Sequence, residues 1–229
     1  MTQALLQSLY QTAQSSTMHI LMTGFSPFDG RLENASWLAV KSLASQGLAV
    51  DTLEIPVVWG EPLARLKPIC ASHCPNIIIS MGEGHVGEFT IEIVARNERA
   101  MRPDNRGNTP LQRLIDPLGP ALRNASIAAE PLCQRLRAHG WPIRVSTDAG
   151  AFLCEETLYS LESLKEDYPR LSTVVFVHLP PYGSQFQMND QDQLCNIDRL
   201  SRFARHLRDA VVEIHGLTHG ALSAPAKRK

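Results

Sequence analysis

The 229-residue sequence has no excess of charge of either sign, because 22 Lys and Arg residues nearly balance 23 Asp and Glu residues. Aromatic residues make up only 6% of the chain, and no basic block alternates with them. Since nucleic acids are bound largely through clustered Lys and Arg, no nucleic-acid partner is expected. No apolar run approaches the roughly 20 residues that a membrane span needs, so no membrane partner is expected either.

The sequence also lacks the features of a secreted protein. Residues 1–17 have neither the basic start nor the long apolar core of a signal peptide. The cysteines are odd in number and show no repeated spacing, at Cys70, Cys74, Cys133, Cys154 and Cys195. Such a set is typical of reduced thiols, and we expect a cytoplasmic protein. Cys70 and Cys74 flank His73, but no second pair follows at a ligand spacing, so no metal site is expected.

Strand-like and helix-like segments alternate along the chain. We expect strands at 19–23, 50–56, 76–80, 89–95, 142–146 and 171–178, and helices at 34–47, 62–73, 122–138, 152–164 and 190–214. This alternation predicts one α/β domain whose mostly parallel sheet is covered by helices on both faces. We place an N-terminal extension at 1–17, the domain at 18–215 and a loose tail at 216–229.

Two loops have a composition that suggests a function. Residues 97–119 are polar and rich in proline, and a loop of this length inside a compact domain is usually functional or disordered. The loop at 24–30 follows the first strand and contains Phe25 and Phe28. These rings can sandwich a small flat ligand in the crevice at the strand ends, or they can simply fold into the core.

The stretch from Val145 to Leu158 contains a potentially reactive cysteine. An apolar strand leads into Ser146, Thr147 and Asp148, which suit a helix start, and Cys154 follows near the N-terminal end of that helix. Unpaired N–H groups at a helix N-terminus favour a thiolate over a thiol. The alternative is that Cys154 is a small buried hydrophobe, as most free cysteines are.

Two further residues can complete a catalytic centre with Cys154. His178 closes a hydrophobic strand, and Glu92 is the one acid within an otherwise apolar strand. Because strand ends in such a sheet converge on one crevice, His178 can take the thiol proton and Glu92 can orient His178. Glu92 can instead face outward, and His178 can be structural. Three rival acids remain: Glu83, Asp104 and Asp148. These residues alone indicate a candidate Cys-His-acid hydrolase.

Several segments carry a resemblance when they are taken in order. Residues 22–30 read MTGFSPFDG and are followed by Asn34 and Ser36. The strand around Glu92 continues as Val94-Ala95 and Asn97, and residues 103–107 read PDNRG. The cysteine segment reads AGAFLC, and the histidine strand ends in VHLP. This ordered set spans roughly residues 18–210 and resembles the pyroglutamyl peptidase family, cysteine peptidases also called pyrrolidone-carboxylate peptidases.

The resemblance implies a three-layer α/β/α sandwich with a mixed, mostly parallel sheet and no cofactor. It implies that the partners are peptides with an N-terminal pyroglutamyl (5-oxoprolyl) residue, which is removed through a thioester acyl-enzyme. Cys154 becomes the nucleophile, His178 the general base and acid, and Glu92 the residue that orients His178. Relatives often form homo-oligomers.

The resemblance also implies a substrate pocket, with two departures from the family pattern. The positions that line the pocket are Phe25, Phe28, Phe152 and Leu153. Arg102 directly precedes Pro103, which we interpret as a one-residue deletion that keeps the arginine and loses an apolar pocket residue. Residues 82–89 read GEGHVGEF where the family commonly has Gly-Gly-Arg. Two alternatives follow: a divergent member that binds a lactam or peptide without turnover, and an enzyme that hydrolyses a different small amide.

Overall fold

A computed structural model of the protein describes residues 18–220. The strands are β1 (Ile20–Phe25), β2 (Asp51–Ile55), β3 (Ile77–Glu83), β4 (Phe89–Glu92), β5 (Val94–Arg96), β6 (Leu122–Asn124), β7 (Ile143–Ser146), β8 (Thr173–Leu179), β9 (Gln185–Met188) and β10 (Gln191–Leu194). The helices are α1 (Ala35–Ser45), α2 (Glu61–His73), α3 (Ala129–Ala138), α4 (Leu153–Asp167) and α5 (Ile197–Gly220). No helix in residues 18–220 combines the length and hydrophobicity that crossing a bilayer requires.

Six strands form the central sheet in the order β2-β1-β3-β8-β4-β7. All neighbours are parallel except β8 and β4, which are antiparallel, so β4 and β7 run against the other four strands. The prediction of a mostly parallel, mixed sheet is confirmed. The reversal also means that the end of β7 does not lie at the same edge as the end of β8.

Two helical layers cover the sheet because side chains along each strand alternate between its faces. One face carries residues such as Ile79 and Val177, and it packs against α1, α3 and α5. The other face carries Ile78 and Phe176 and packs against α2 and α4. Since His178 lies two residues after Phe176 on β8, its side chain belongs to the α4 face.

The structure differs from the predicted helix at 190–214. Residues 185–194 instead form the β9–β10 hairpin, and α5 begins only at Ile197 and continues to Gly220. Asn189 and Asp190 make the turn, both with positive φ (52° and 59°), which Asn and Asp tolerate better than most residues. The prediction of helix from Asp190 is therefore wrong. The expected extension at 1–17 and most of the expected tail lie outside the described residues.

Two other predicted elements are divided. The strand expected at 89–95 breaks at Ile93 into β4 and β5, and β5 pairs with β6 in a small antiparallel sheet. Because β6 uses residues 122–124, the helix expected from Leu122 starts at Ala129. The break turns the chain away from the central sheet just after Glu92.

Side-chain hydrogen bonds fold the long loop at 97–119 onto the domain. The side-chain amide of Asn97 accepts the N–H of Asp116 at 2.8 Å and donates to its carbonyl at 2.7 Å. The carboxylate of Asp104 accepts backbone N–H groups of Trp59, Arg106 and Asn108. These contacts give the loop a defined path beside α2 and α4.

Candidate active site

A cavity of about 570 Å³ opens beside the N-terminus of α4, between the loops that follow β1, β3 and β7. All eight residues that the sequence analysis placed in the site contribute to its wall: Phe25, Phe28, Glu92, Arg102, Phe152, Leu153, Cys154 and His178. Residues from distant parts of the chain are thus brought to one crevice. The prediction is that the ends of parallel strands meet there, whereas β4 and β7 run antiparallel to the other four strands of the sheet.

Cys154 is the second residue of α4, whose N-cap is Phe152. The helix begins within one residue of its predicted start at 152, but Ser146 to Asp148, which suited a helix start in the sequence, form a turn ahead of it. Ser146 Oγ accepts the N–H of Asp148 at 3.2 Å, and Asp148 Oδ1 accepts the N–H of Gly150 at 3.0 Å. Cys154 nevertheless lies in the first helical turn, where N–H groups without helical partners favour negative charge.

The sulfur of Cys154 lies over a glycine of the central sheet. A Cβ atom built on Gly82 would be 2.8 Å from Cys154 Sγ, 3.1 Å from Phe176 Cζ and 3.3 Å from His178 Cδ2. A second glycine, Gly84, lies still closer to His178, with 2.9 Å between its hypothetical Cβ and the Cβ of the histidine. The absence of side chains at these positions makes room for the sulfur and the imidazole to meet.

His178 and Glu92 are joined by a hydrogen bond of 2.9 Å between Nδ1 and Oε1. The antiparallel register aligns His178 with Thr90 and Phe176 with Glu92, so the histidine and the carboxylate meet diagonally on one face of the sheet. Because Nδ1 is engaged with Glu92, Nε2 is left for the thiol side of the cavity.

The charges of this cluster support one another. Burial lowers the pKa of His178, but the Cys154 thiolate and the Glu92 carboxylate outweigh burial and raise that pKa to about 10. Burial raises the pKa of Glu92, but hydrogen bonding to His178 and the imidazolium charge lower it overall. Both effects favour an imidazolium and a carboxylate in contact.

Two acids in the first turn of α4 are missed by the sequence analysis. Glu155 accepts the N–H of Ala151 at 3.2 Å and that of Arg96, which fixes the turn in front of the cysteine. Glu156 accepts Arg99 through both oxygens, at 3.0 Å each, and the N–H of Gly60 at 2.9 Å. The signal was available, because acids in a first helical turn that reach back to preceding N–H groups are a known capping pattern.

The predicted pocket residues form an apolar wall with one cation. Phe25 and Leu153 are almost fully buried, whereas Phe28 and Phe152 are half-buried and face the cavity. The guanidinium of Arg102 stacks on the Phe152 ring with its Cζ 4.0 Å from the centroid. Arg102 therefore closes one side of the slot over an aromatic ring.

The three rival acids have other partners. Glu83 pairs with Arg31 and accepts the N–H of Ala35 at the start of α1. Asp148 is exposed and lies 3.7 Å from Arg96, and Asp104 holds backbone groups of the 97–119 loop. Glu92 is thus the acid that contacts His178.

The remaining cysteines lie apart from the cavity. Burial raises the pKa of Cys70 and Cys133 to about 11 and that of Cys195 to about 12. Such thiols stay protonated and unreactive at neutral pH. Cys74 ends α2 with a φ of 47° and is partly exposed.

Residues 18–205 match the family model described as pyroglutamyl peptidase. The pyrrolidone-carboxylate peptidase of Gloeobacter violaceus is 34% identical over 169 residues, which cover 71% of this chain and 82% of that protein. The protein of the same name from an Enterobacter species is 37% identical over 150 residues, covering 62% of this chain and 69% of its own.

Solved structures agree in fold. The crystal structure of pyroglutamyl peptidase I from Bacillus amyloliquefaciens superposes with a TM-score of 0.75 at 28% identity, covering 87% of this chain and 98% of that chain. A mutant pyrrolidone carboxyl peptidase from Pyrococcus furiosus superposes with a TM-score of 0.72, covering 86% and 99%. At 23% identity, the second likeness shows the fold alone.

Proposed function

The chain belongs to the pyroglutamyl peptidase family, and we propose that it removes N-terminal pyroglutamyl residues from peptides with Cys154, His178 and Glu92 as its catalytic residues. The observation that carries these roles is the contact of all three side chains at the wall of one cavity. Their order of contact, thiol to imidazole to carboxylate, is that of a nucleophile, its base and the group that orients the base.

In the first half of the reaction, the Cys154 thiolate attacks the pyroglutamyl carbonyl carbon and forms an S–C bond. The tetrahedral oxyanion lies at the N-terminus of α4, whose N–H groups without helical partners stabilise negative charge. As the oxyanion collapses, the C–N bond breaks and the His178 imidazolium gives its proton to the leaving amine. The product is a thioester on Cys154 and a shortened peptide.

In the second half, a water molecule attacks the thioester carbonyl while His178 takes its proton. The S–C bond then breaks, which releases pyroglutamate and restores the thiolate–imidazolium pair. Glu92 keeps Nδ1 protonated and the ring oriented throughout, because its hydrogen bond fixes the tautomer.

The apolar wall of Phe25, Phe28 and Phe152 suits the small, uncharged lactam ring. An N-terminal glutamate would have to bring an ammonium and a carboxylate into the same slot, at a cost in desolvation. This difference supports selection of the lactam over the open-chain residue.

The test is release of aminocoumarin from a pyroglutamyl-aminocoumarin substrate by the reduced protein. We expect turnover by the wild-type protein, none by Cys154→Ala, and wild-type turnover by the matched control Cys74→Ala. The glutamyl analogue should not be cleaved. A folded wild-type protein that binds pyroglutamate but releases no fluorophore would contradict the proposal and favour a binding protein.

Two wider properties complete the proposal. The five reduced cysteines support a cytoplasmic location. A homo-oligomeric assembly accords with the family resemblance, and sedimentation velocity at micromolar concentration tests it.

A further inference from the structure

Thr90 lies beside the Glu92–His178 pair and has no role in the scheme above. It is 4% exposed, lines the cavity and is the direct cross-strand neighbour of His178. Because strand residues two apart share a face, Thr90 and Glu92 point to the same side of β4. The threonine is therefore placed within reach of both members of the pair.

The contact is specific. Thr90 Oγ1 donates to Glu92 Oε1 at 2.5 Å, and this is the same oxygen that bonds His178 Nδ1. Glu92 is 1% exposed, so no bulk water replaces a missing donor. A buried carboxylate stays ionised only if donors and positive charge offset its desolvation.

We propose that Thr90 is a positioning residue of the catalytic centre, which holds Glu92 ionised and in line with His178 through its hydroxyl. This role rests on the proposed function for its kinetic consequence, although the contact itself does not depend on the substrate. Thr90 acts through Glu92 and does not touch the reacting atoms.

Other groups around the pair bear on its titration. Cys154 faces His178 from α4, and Ser146 on β7 is the cross-strand neighbour of Glu92 and acts on it in the same direction as Thr90. Glu88 and Arg144 line the same cavity but pair with each other at 2.7 Å. The Thr90 hydroxyl donates to Glu92 Oε1, the oxygen that also bonds His178 Nδ1. Loss of the hydroxyl should therefore change the pKa of His178.

Removal of the Thr90 hydroxyl should weaken the interaction between the Glu92 carboxylate and the His178 imidazolium. Without it, Glu92 binds a proton more readily, and His178 loses its proton at a lower pH than in the wild type. In Thr90→Val, an isosteric change, we expect kcat/KM for the pyroglutamyl substrate to fall about 10- to 100-fold, the usual range for a lost hydrogen bond to a charged group. The loss should be in kcat, with KM nearly unchanged, since the Thr90 hydroxyl donates to Glu92.

The experiment compares Thr90→Val and three further variants with the wild type. Thr90→Ser keeps the hydroxyl and should restore most of the activity. Thr173→Val is the matched control, because Thr173 is equally buried on β8 and its hydroxyl bonds His215 instead of the catalytic pair. It should keep wild-type kinetics even if its melting temperature falls. Thr90→Ala gives the same readouts should the valine variant fail to fold.

The decisive readout is the NMR titration of His178, which needs no substrate. We expect the midpoint to move to lower pH in Thr90→Val and to return in Thr90→Ser. An unchanged midpoint together with kcat/KM within twofold of wild type would overturn the proposal, as would an equal loss in Thr173→Val. If the wild type cleaves no pyroglutamyl substrate, the proposed function fails, but the titration still decides the contact between Thr90 and the pair.

Discussion

At the scale of single residues, Gly82 sets the position of the reactive sulfur. Any Cβ at this position would come within 2.8 Å of Cys154 Sγ, closer than real contacts allow. We expect Gly82→Ala to fold, because the sulfur and the imidazole can move aside, but to displace the two reacting groups. A displacement of about 1 Å can cost on the order of 100-fold in rate, and kcat/KM should fall by that order.

Steady-state kinetics and circular dichroism together check this prediction. Gly216→Ala, in α5, is the matched control, since a Cβ there meets no atom within 4 Å. It should keep wild-type activity. Wild-type kinetics in Gly82→Ala would show that the position of Cys154 Sγ does not depend on the absence of a side chain at residue 82.

The pKa of His178 depends on its two charged neighbours. The Cys154 thiolate opposes the effect of burial and contributes to the rise of that pKa to about 10. Cys154→Ala removes the negative charge and leaves burial in place, so the imidazole should lose its proton at a lower pH than in the wild type. The ring signals of His178 followed by NMR from pH 5 to 11 measure this change. A midpoint that stays at the wild-type value in Cys154→Ala would mean that sulfur and imidazole do not interact.

Sequence reasoning singled out residues whose chemistry differs from that of their surroundings. Glu92 is an acid in an apolar strand, and His178 ends a buried one, so both attract attention without a structure. Thr90 and Gly82 do not stand out, because a threonine in a strand and a glycine after one are common. Their importance depends on cross-strand register, which no single segment reveals.

At the scale of elements, one buried ion pair connects the loop at 97–119 to α4. Arg99 in the loop is 16% exposed on its side chain, and Glu156 in α4 is 1% exposed. Since Glu156 is two residues after Cys154, the pair also anchors the start of that helix. Removal of one partner leaves a buried charge uncompensated, which costs about 3–5 kcal/mol in such pairs.

We therefore expect Arg99→Met to lower the free energy of unfolding by several kcal/mol, measured by urea denaturation. The double variant Arg99→Met/Glu156→Gln should lose less than the sum of the single changes, because neither leaves the other unpaired. Arg113→Met is the control, since Arg113 makes an exposed pair with Glu98 in the same loop. Strict additivity in the cycle would count against a coupled pair.

Element type was predictable for buried strands and less so near the surface. The runs at 76–80 and 171–178 became β3 and β8 because their β-branched residues suit a buried strand. Residues 190–194, the second half of the hairpin, are predicted as helix because their polar side chains show no strong strand pattern. The Asn189-Asp190 turn was the local signal for it.

At the scale of the whole molecule, a histidine pair makes stability depend on pH. His206 on α5 accepts the indole N–H of Trp141 at 3.0 Å, and its ring lies 4.1 Å from that of His139 between centroids. Burial and the charge of His139 lower the pKa of His206 below its ordinary value of 6.5. The unfolded chain therefore binds a proton more readily, so stability is complete above about pH 6.5 and falls as pH drops through the folded pKa.

Replacement by glutamine keeps an acceptor for Trp141 but removes the titration. We expect the urea midpoint of His206→Gln to fall less than that of the wild type between pH 7.5 and 5.5. His85→Gln, an exposed loop residue, controls for the loss of a histidine and should follow the wild type. If the urea midpoints of His206→Gln and of the wild type fall equally between pH 7.5 and 5.5, groups other than His206 cause the loss of stability in acid.

The antiparallel pairing of β4 with β8 restricts how the connection at 84–88 can vary. Thr90 and Glu92 face His178 only while β4 keeps its register, and a slip by one residue would point both away from the cavity. Within this connection Val86 is exposed and outside the cavity wall, so substitutions there leave the chemistry unchanged, whereas Gly84 must stay without a side chain beside His178. Insertions and deletions are tolerated only when the extra or missing residues are absorbed before Phe89, because the pairing of β4 with β8 must keep its alternation of faces.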